Sequence, residues 1–120
     1  MSTTTKVSYK TKCLIIVELA NLKSAQAIEK LKQAHDEIAS FPPKSILLVT
    51  DVTNTEITNE FIAAVTEFAK KNTPYVKSSA AVGATTLVTI ISYNLANTAG
   101  RKINSFYTRT EAMDWLASQP

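Results

Sequence analysis

Ile46-Leu47-Leu48-Val49-Thr50-Asp51, followed by Val52-Thr53-Asn54-Thr55-Glu56-Ile57-Thr58-Asn59-Glu60-Phe61, reads as an apolar strand, a polar connection and the start of a helix. Four consecutive apolar side chains are the pattern of a strand covered on both faces. In a parallel sheet, the connection after such a strand is where ligands, phosphates and reacting groups collect. This connection holds one carboxylate at the strand end and a series of hydroxyls, with neither glycine nor lysine. It therefore lacks the residues that cradle a phosphate. The stretch points to an α/β architecture, and to binding or regulation in place of catalysis.

Working outward, strand and helix alternate without a composition shift that would mark a linker. Val7–Tyr9 forms a short first strand that turns through Lys10-Thr11 into Lys12–Leu19, whose run Cys13-Leu14-Ile15-Ile16-Val17 predicts a central strand. Ser24 can cap a helix to about Ala39, which Phe41-Pro42-Pro43 terminates. Thr58 caps a second helix through Lys71, with Ile57, Phe61, Ala64, Val65 and Phe68 inward. Tyr75–Val82 is a strand ending at Gly83, and a third helix spans about Thr85 to Ala99, closed by Gly100. Ile103–Tyr107 is the last strand, and Thr108-Arg109-Thr110-Glu111 has capping-box spacing for a final helix. The expected fold is a mixed, mostly parallel sheet of about five strands with four helices, its start antiparallel.

Composition narrows the class. A chain of 120 residues, 45% hydrophobic and 19% charged, fits one globular domain over 1–120, with 1–5 as a flexible tail. No run approaches the ~20 apolar residues of a membrane span, and Met1–Lys6 lacks the apolar core of a secretory signal. One cysteine, Cys13, allows no intrachain disulfide; with the missing signal, it places the protein in the cytoplasm. The net charge of +3 is unevenly spread, with no acid between Phe68 and Thr110 against Lys70, Lys71, Lys77, Arg101, Lys102 and Arg109. These cations form no tight run with interleaved aromatics, so a solvated face is expected before a nucleic-acid site.

That order of elements resembles the STAS domain of anti-sigma-factor antagonists. The residues that carry the likeness are Lys44-Ser45-Ile46-Leu47-Leu48-Val49-Thr50-Asp51, Lys71-Asn72-Thr73-Pro74-Tyr75-Val76-Lys77-Ser78-Ser79-Ala80-Ala81-Val82-Gly83 and Thr110-Glu111-Ala112-Met113-Asp114-Trp115-Leu116. More narrowly, the chain is similar to the SpoIIAA-like STAS family of small, largely uncharacterised bacterial proteins. Classical members of the resembled family are switched by phosphorylation of a serine in Asp-Ser-Ser-Gly at the start of the second helix, a mechanism not expected to carry over to this chain. Here that position reads Thr58, Asn59, Glu60 and Phe61, and no serine lies between Ser45 and Ser78. Glu60, or Asn59 one residue earlier, occupies the switch position. A carboxylate there either mimics a phosphate or stabilises the helix dipole. Thr55 and Thr58 are the remaining phosphorylatable hydroxyls of the loop.

The other polar residues supply little for catalysis. Asp51 lacks the second aspartate, at the Thr53 position, that a haloacid-dehalogenase-type phosphatase requires, so it is expected to cap a turn or the start of the second helix. His35, the single histidine, projects between Ile28 and Leu31 on the inner face of the first helix, as a packing residue does. One histidine and one cysteine make neither a zinc site nor a nucleophile triad that uses histidine. No cofactor, metal or catalytic residue is expected. Gly83 with Thr85 and Thr86 forms a candidate anion site at a helix start, or an ordinary strand-to-helix turn. On the third helix, Leu87, Val88, Ile91, Leu95 and Ala99 fill an arc of ~120°, and Ile90 and Tyr93 fall outside it beside Thr86 and Asn97. That pair is a candidate interface, either a dimer seam or the lip of a ligand groove.

The expected function is a non-enzymatic STAS-like domain acting by protein contact as a homodimer, with an unknown protein partner. A carrier of a small apolar ligand or lipid, of the CRAL-TRIO-like type that the family also resembles, is the alternative; it requires a cavity of ~300 Å³ or more. Anion or nucleic-acid binding through the basic 70–109 half is a weaker one.

Overall fold

The structure is a computed structural model that describes residues 4–83, 87, 89–90 and 103–119. Strands β1 (Thr4–Tyr9), β2 (Lys12–Glu18), β3 (Ile46–Asp51), β4 (Val76–Val82) and β5 (Ile103–Phe106) form one sheet in the order β1-β2-β3-β4-β5. β1 is antiparallel to β2, and the other four strands are mutually parallel. Helix α1 (Ser24–Ile38) joins β2 to β3, α2 (Asn59–Asn72) joins β3 to β4, and α3 (Arg109–Ala117) follows β5. The expected helix over 85–99 lies outside the described residues except at Leu87, Thr89 and Ile90, which are helical.

Alternation along the strands builds two apolar layers. Ile15 and Val17 of β2, with Ile46 and Leu48 of β3, pack against Leu31, Ala34 and Ile38 of α1 and Phe61, Val65 and Phe68 of α2. Leu14 and Ile16, with Leu47, Val49, Ala80 and Val82, face the other way and are covered by Ala112 and Leu116 of α3. Helices therefore lie on both faces, which is why the apolar runs of β2 and β3 are continuous. Phe106 and Trp115, with ring centroids 5.8 Å apart, extend the α3 layer.

Several local readings change. Residues 4 and 5, expected in a tail, belong to β1, where Thr4 pairs with Val17. Cys13, the second residue of β2, is exposed, whereas burial begins at Leu14. Lys23, not Ser24, occupies the N-cap of α1. A lysine side chain cannot accept from a helix N–H; instead the Glu56 carboxylate accepts from the Ser24 N–H at 2.9 Å, and Gln26 Oε1 accepts from the Lys23 N–H at 3.2 Å. Ile57, expected inward, is 46% exposed because it precedes the cap of α2 and is not on its buried face. Thr58 caps α2 and Thr108 caps α3 as the spacing predicts, accepting from the Phe61 and Glu111 N–H groups.

Candidate functional site at the carboxyl edge of the sheet

Because β2 to β5 are parallel, the connections that leave their carboxyl ends gather along one edge. Register decides what meets there. Glu18 and Asp51 are direct partners in the β2–β3 ladder, and both share the face of Leu14, Ile16 and Val49 toward α3. Two adjacent carboxylates repel unless a cation lies between them. Arg109, at the first position of α3, supplies it: Nε donates to Asp51 Oδ2 at 2.7 Å and Nη2 to Glu18 Oε1 at 2.5 Å. The other Asp51 oxygen, Oδ1, accepts from the Thr53 N–H at 3.0 Å and the Thr53 hydroxyl at 2.7 Å.

Asp51 is 5% exposed. Burial pushes its carboxyl up, but the hydrogen bonds from the Thr53 side chain, Arg109 and the Thr53 backbone outweigh this and hold it below the usual aspartate value. It is an ionised turn cap, the role the sequence reading assigns it. Its Oδ1 accepts two hydrogen bonds and its Oδ2 one, so both oxygens hold the turn and Arg109 in place.

The rest of the switch loop is similarly engaged. The Thr55 hydroxyl is buried and donates to the Leu19 carbonyl at 2.7 Å. Thr58 Oγ1 lies 2.6 Å from Ser24 Oγ while it caps α2, so the loop ties the starts of α1 and α2 together. Asn59 and Glu60 are exposed in the first turn of α2, and Glu60 there suits the helix dipole. A phosphoryl group has no room on Thr55 in this conformation, and on Thr58 it would displace both the cap and the Ser24 contact. We expect Thr58→Ala to lower stability by about 1–2 kcal/mol, with Thr58→Ser near wild type, read from urea midpoints at unchanged m.

Gly83 closes β4 at φ +88°, a left-handed conformation that favours glycine, and a Cβ built there would lie 2.8 Å from the Thr53 Cα. Its N–H donates to the Phe106 carbonyl at 3.0 Å, and the Val52 N–H donates to the Val82 carbonyl at 3.0 Å. Close packing between two connections thus calls for glycine at position 83. Thr85 and Thr86 of the candidate anion site lie outside the described residues, as do Tyr93, Asn97 and Thr86 of the candidate interface. Ile90 is 40% exposed.

Away from this edge, His35 Nδ1 lies 2.6 Å from Asn72 Oδ1 between α1 and α2, a half-buried packing position. Asn72 is fully buried and its Nδ2 has no hydrogen-bond partner among the described residues. An interior space of about 40 Å³ lies between the sheet and Val65, Phe68 and Leu87. No group of three His, Cys, Asp or Glu able to hold a metal occurs among the described residues, and no helix there is long and apolar enough to cross a membrane.

The sequence reading missed Arg109, Glu18 and Glu56. Each acts across a long separation in sequence, and the signal that could have found Glu18 and Arg109 was strand order: both lie next to the carboxyl end of a parallel strand.

Neither a family model nor a curated protein matches the chain. Among solved structures, it is similar to an uncharacterised protein of the DUF3478 family with a SpoIIAA-like fold from Shewanella loihica PV-4. The TM-score is 0.67 at 14% identity, over 94% of this chain and 91% of that one. The class is therefore a mixed α/β domain with the SpoIIAA-like fold. At this identity, the likeness speaks for the fold alone.

Proposed function

We propose that the protein is a non-enzymatic STAS-like domain that acts by protein contact and works as a homodimer. The observation that carries the reading of protein contact is the division of labour at the carboxyl edge. Asp51, Thr53, Thr55, Glu56, Thr58 and Arg109 are all engaged in internal hydrogen bonds. The large apolar side chains left most exposed among the described residues, Ile57 at 46%, Ile90 at 40% and Tyr107 at 83%, all lie in the connections leaving that edge. Polar groups tied inward with apolar groups turned outward make a surface to be touched, not one that reacts. The loop has no serine to phosphorylate, so its contacts are constitutive unless Thr58 is modified.

Native mass spectrometry on the untagged chain tests this. Two chains with no adduct is the expected result. A reproducible adduct lost on denaturation would overturn the reading in favour of a carrier, and a bare monomer would remove the homodimer.

A further inference from the structure

The groove between α1 and α2, outside the site above, encloses about 240 Å³ over Leu31, Phe68, Ile28 and Ala64. α1 and α2 each cross between adjacent parallel strands, so they run parallel to each other. Two hydrogen bonds set their axial alignment: Ser24 Oγ to Thr58 Oγ1 at the start, and His35 Nδ1 to Asn72 Oδ1 at the end, both 2.6 Å. On that alignment Lys32 lies level with Glu67, and Asp36 with Lys71. All four are exposed and line the groove, and none is in an ion pair among the described residues. The rim is thus a rectangle of alternating charge around an apolar floor.

We infer that this rim is the seat of a second copy of the same chain, an inference that rests on the homodimer of the proposed function. A rectangle of alternating charge is complementary to itself under a two-fold axis. With the axis along the helices, Lys32 meets Glu67 and Asp36 meets Lys71 of the other copy; with it across them, Lys32 meets Asp36 and Glu67 meets Lys71. In the first arrangement Ile28, half-buried, is level with the small Ala64 of the other copy and enters the space beside it. Two helices of roughly 22 Å give a face below the ~800 Å² per partner of a standard interface. The dimer is therefore weak, in the micromolar range, and sensitive to salt. This seam leaves Ile57 and Tyr107 at the carboxyl edge free for a different partner.

Charge exchange tests it. Lys32→Glu with Lys71→Glu makes the rim wholly acidic, and Asp36→Lys with Glu67→Lys makes it wholly basic. Sedimentation of the full chain is expected to show wild-type dimer at about 100 µM, each variant at least tenfold weaker, and a one-to-one heterodimer on mixing. Wild-type monomer at that concentration overturns both this inference and the homodimer. Wild-type dimer with both variants still dimeric overturns the seam alone and leaves the contact function standing. Variants that dissociate but fail to pair on mixing also overturn it. As a measurement without substitutions, the wild-type dissociation constant should rise at least tenfold between about 50 and 500 mM salt, and a constant value counts against the seam.

Discussion

Gly83→Ala and Gly83→Val are both expected to lose about 4 kcal/mol of stability, a fall of roughly 15 °C in Tm for a domain of this size. The two effects have separate origins. Gly83 sits at φ +88°, where any residue with a Cβ is strained, by about 1–3 kcal/mol. The Cβ itself would lie 2.8 Å from the Thr53 Cα, which is backbone and cannot rotate away. Thr53 is in turn held by Asp51, so relief would require dismantling the turn. Because the collision occurs at the first side-chain atom, alanine should suffer nearly as much as valine. If thermal unfolding shows alanine tolerated and only valine destabilising, the close approach to Thr53 is not what demands glycine. A loss of this size also means that a Gly83 variant cannot serve as a clean probe of anion binding at the following helix start.

Arg109→Met is the second large effect. It leaves Asp51 buried with its cation removed and Glu18 still beside it. Breaking a buried pair costs about 3–5 kcal/mol; Arg109 is itself partly exposed and the Thr53 bonds remain, so about 2 kcal/mol is expected near pH 7. The pH dependence identifies the cause. In the native chain the Asp51 carboxyl is depressed below its unfolded value, near ~3.9. Its contribution is therefore complete above that value and is lost as pH falls through the lower, folded one. Without Arg109, burial is opposed only by Thr53, and the carboxyl shifts upward. The variant should then be weakest relative to wild type at neutral pH; the gap should narrow as pH falls through the variant's raised value and close only below the depressed value of the wild-type carboxyl. A gap of constant size across urea titrations from neutral to acid pH would assign Arg109's role to packing of its stem. Asp51→Asn in the Arg109→Met background should then cost less than the two single changes added together, since they act on one pair.

The two effects meet at one place. Asp51 fixes Thr53, Thr53 lies against Gly83, and Arg109 ties the same carboxylate to β2 and to the start of α3. The carboxyl edge is thus cross-braced from four of the five strands. A partner docking on Ile57 or Tyr107 would meet a preformed surface, and little ordering entropy would oppose binding.

Much of this was legible in the chain itself, for local reasons. The apolar runs of β2 and β3, the caps Thr58 and Thr108, the break at Phe41-Pro42-Pro43 and the inward placement of His35 depend on near neighbours and on periodicity, which sequence records directly. The SpoIIAA-like architecture follows from their order. What the tertiary structure alone decided are the meetings of distant residues. Whether Asp51 is a nucleophile or a turn cap depends on Arg109, 58 positions away, and on Glu18 in the adjacent strand. Ser24 gives up the cap of α1 to Glu56 because a folded loop delivers a better acceptor than a neighbouring side chain could. Ile57 is exposed by one step before a cap, a boundary that periodicity does not resolve. Local propensity sets which elements form; strand register and helix alignment set which charges face each other, and those are properties of the assembled sheet.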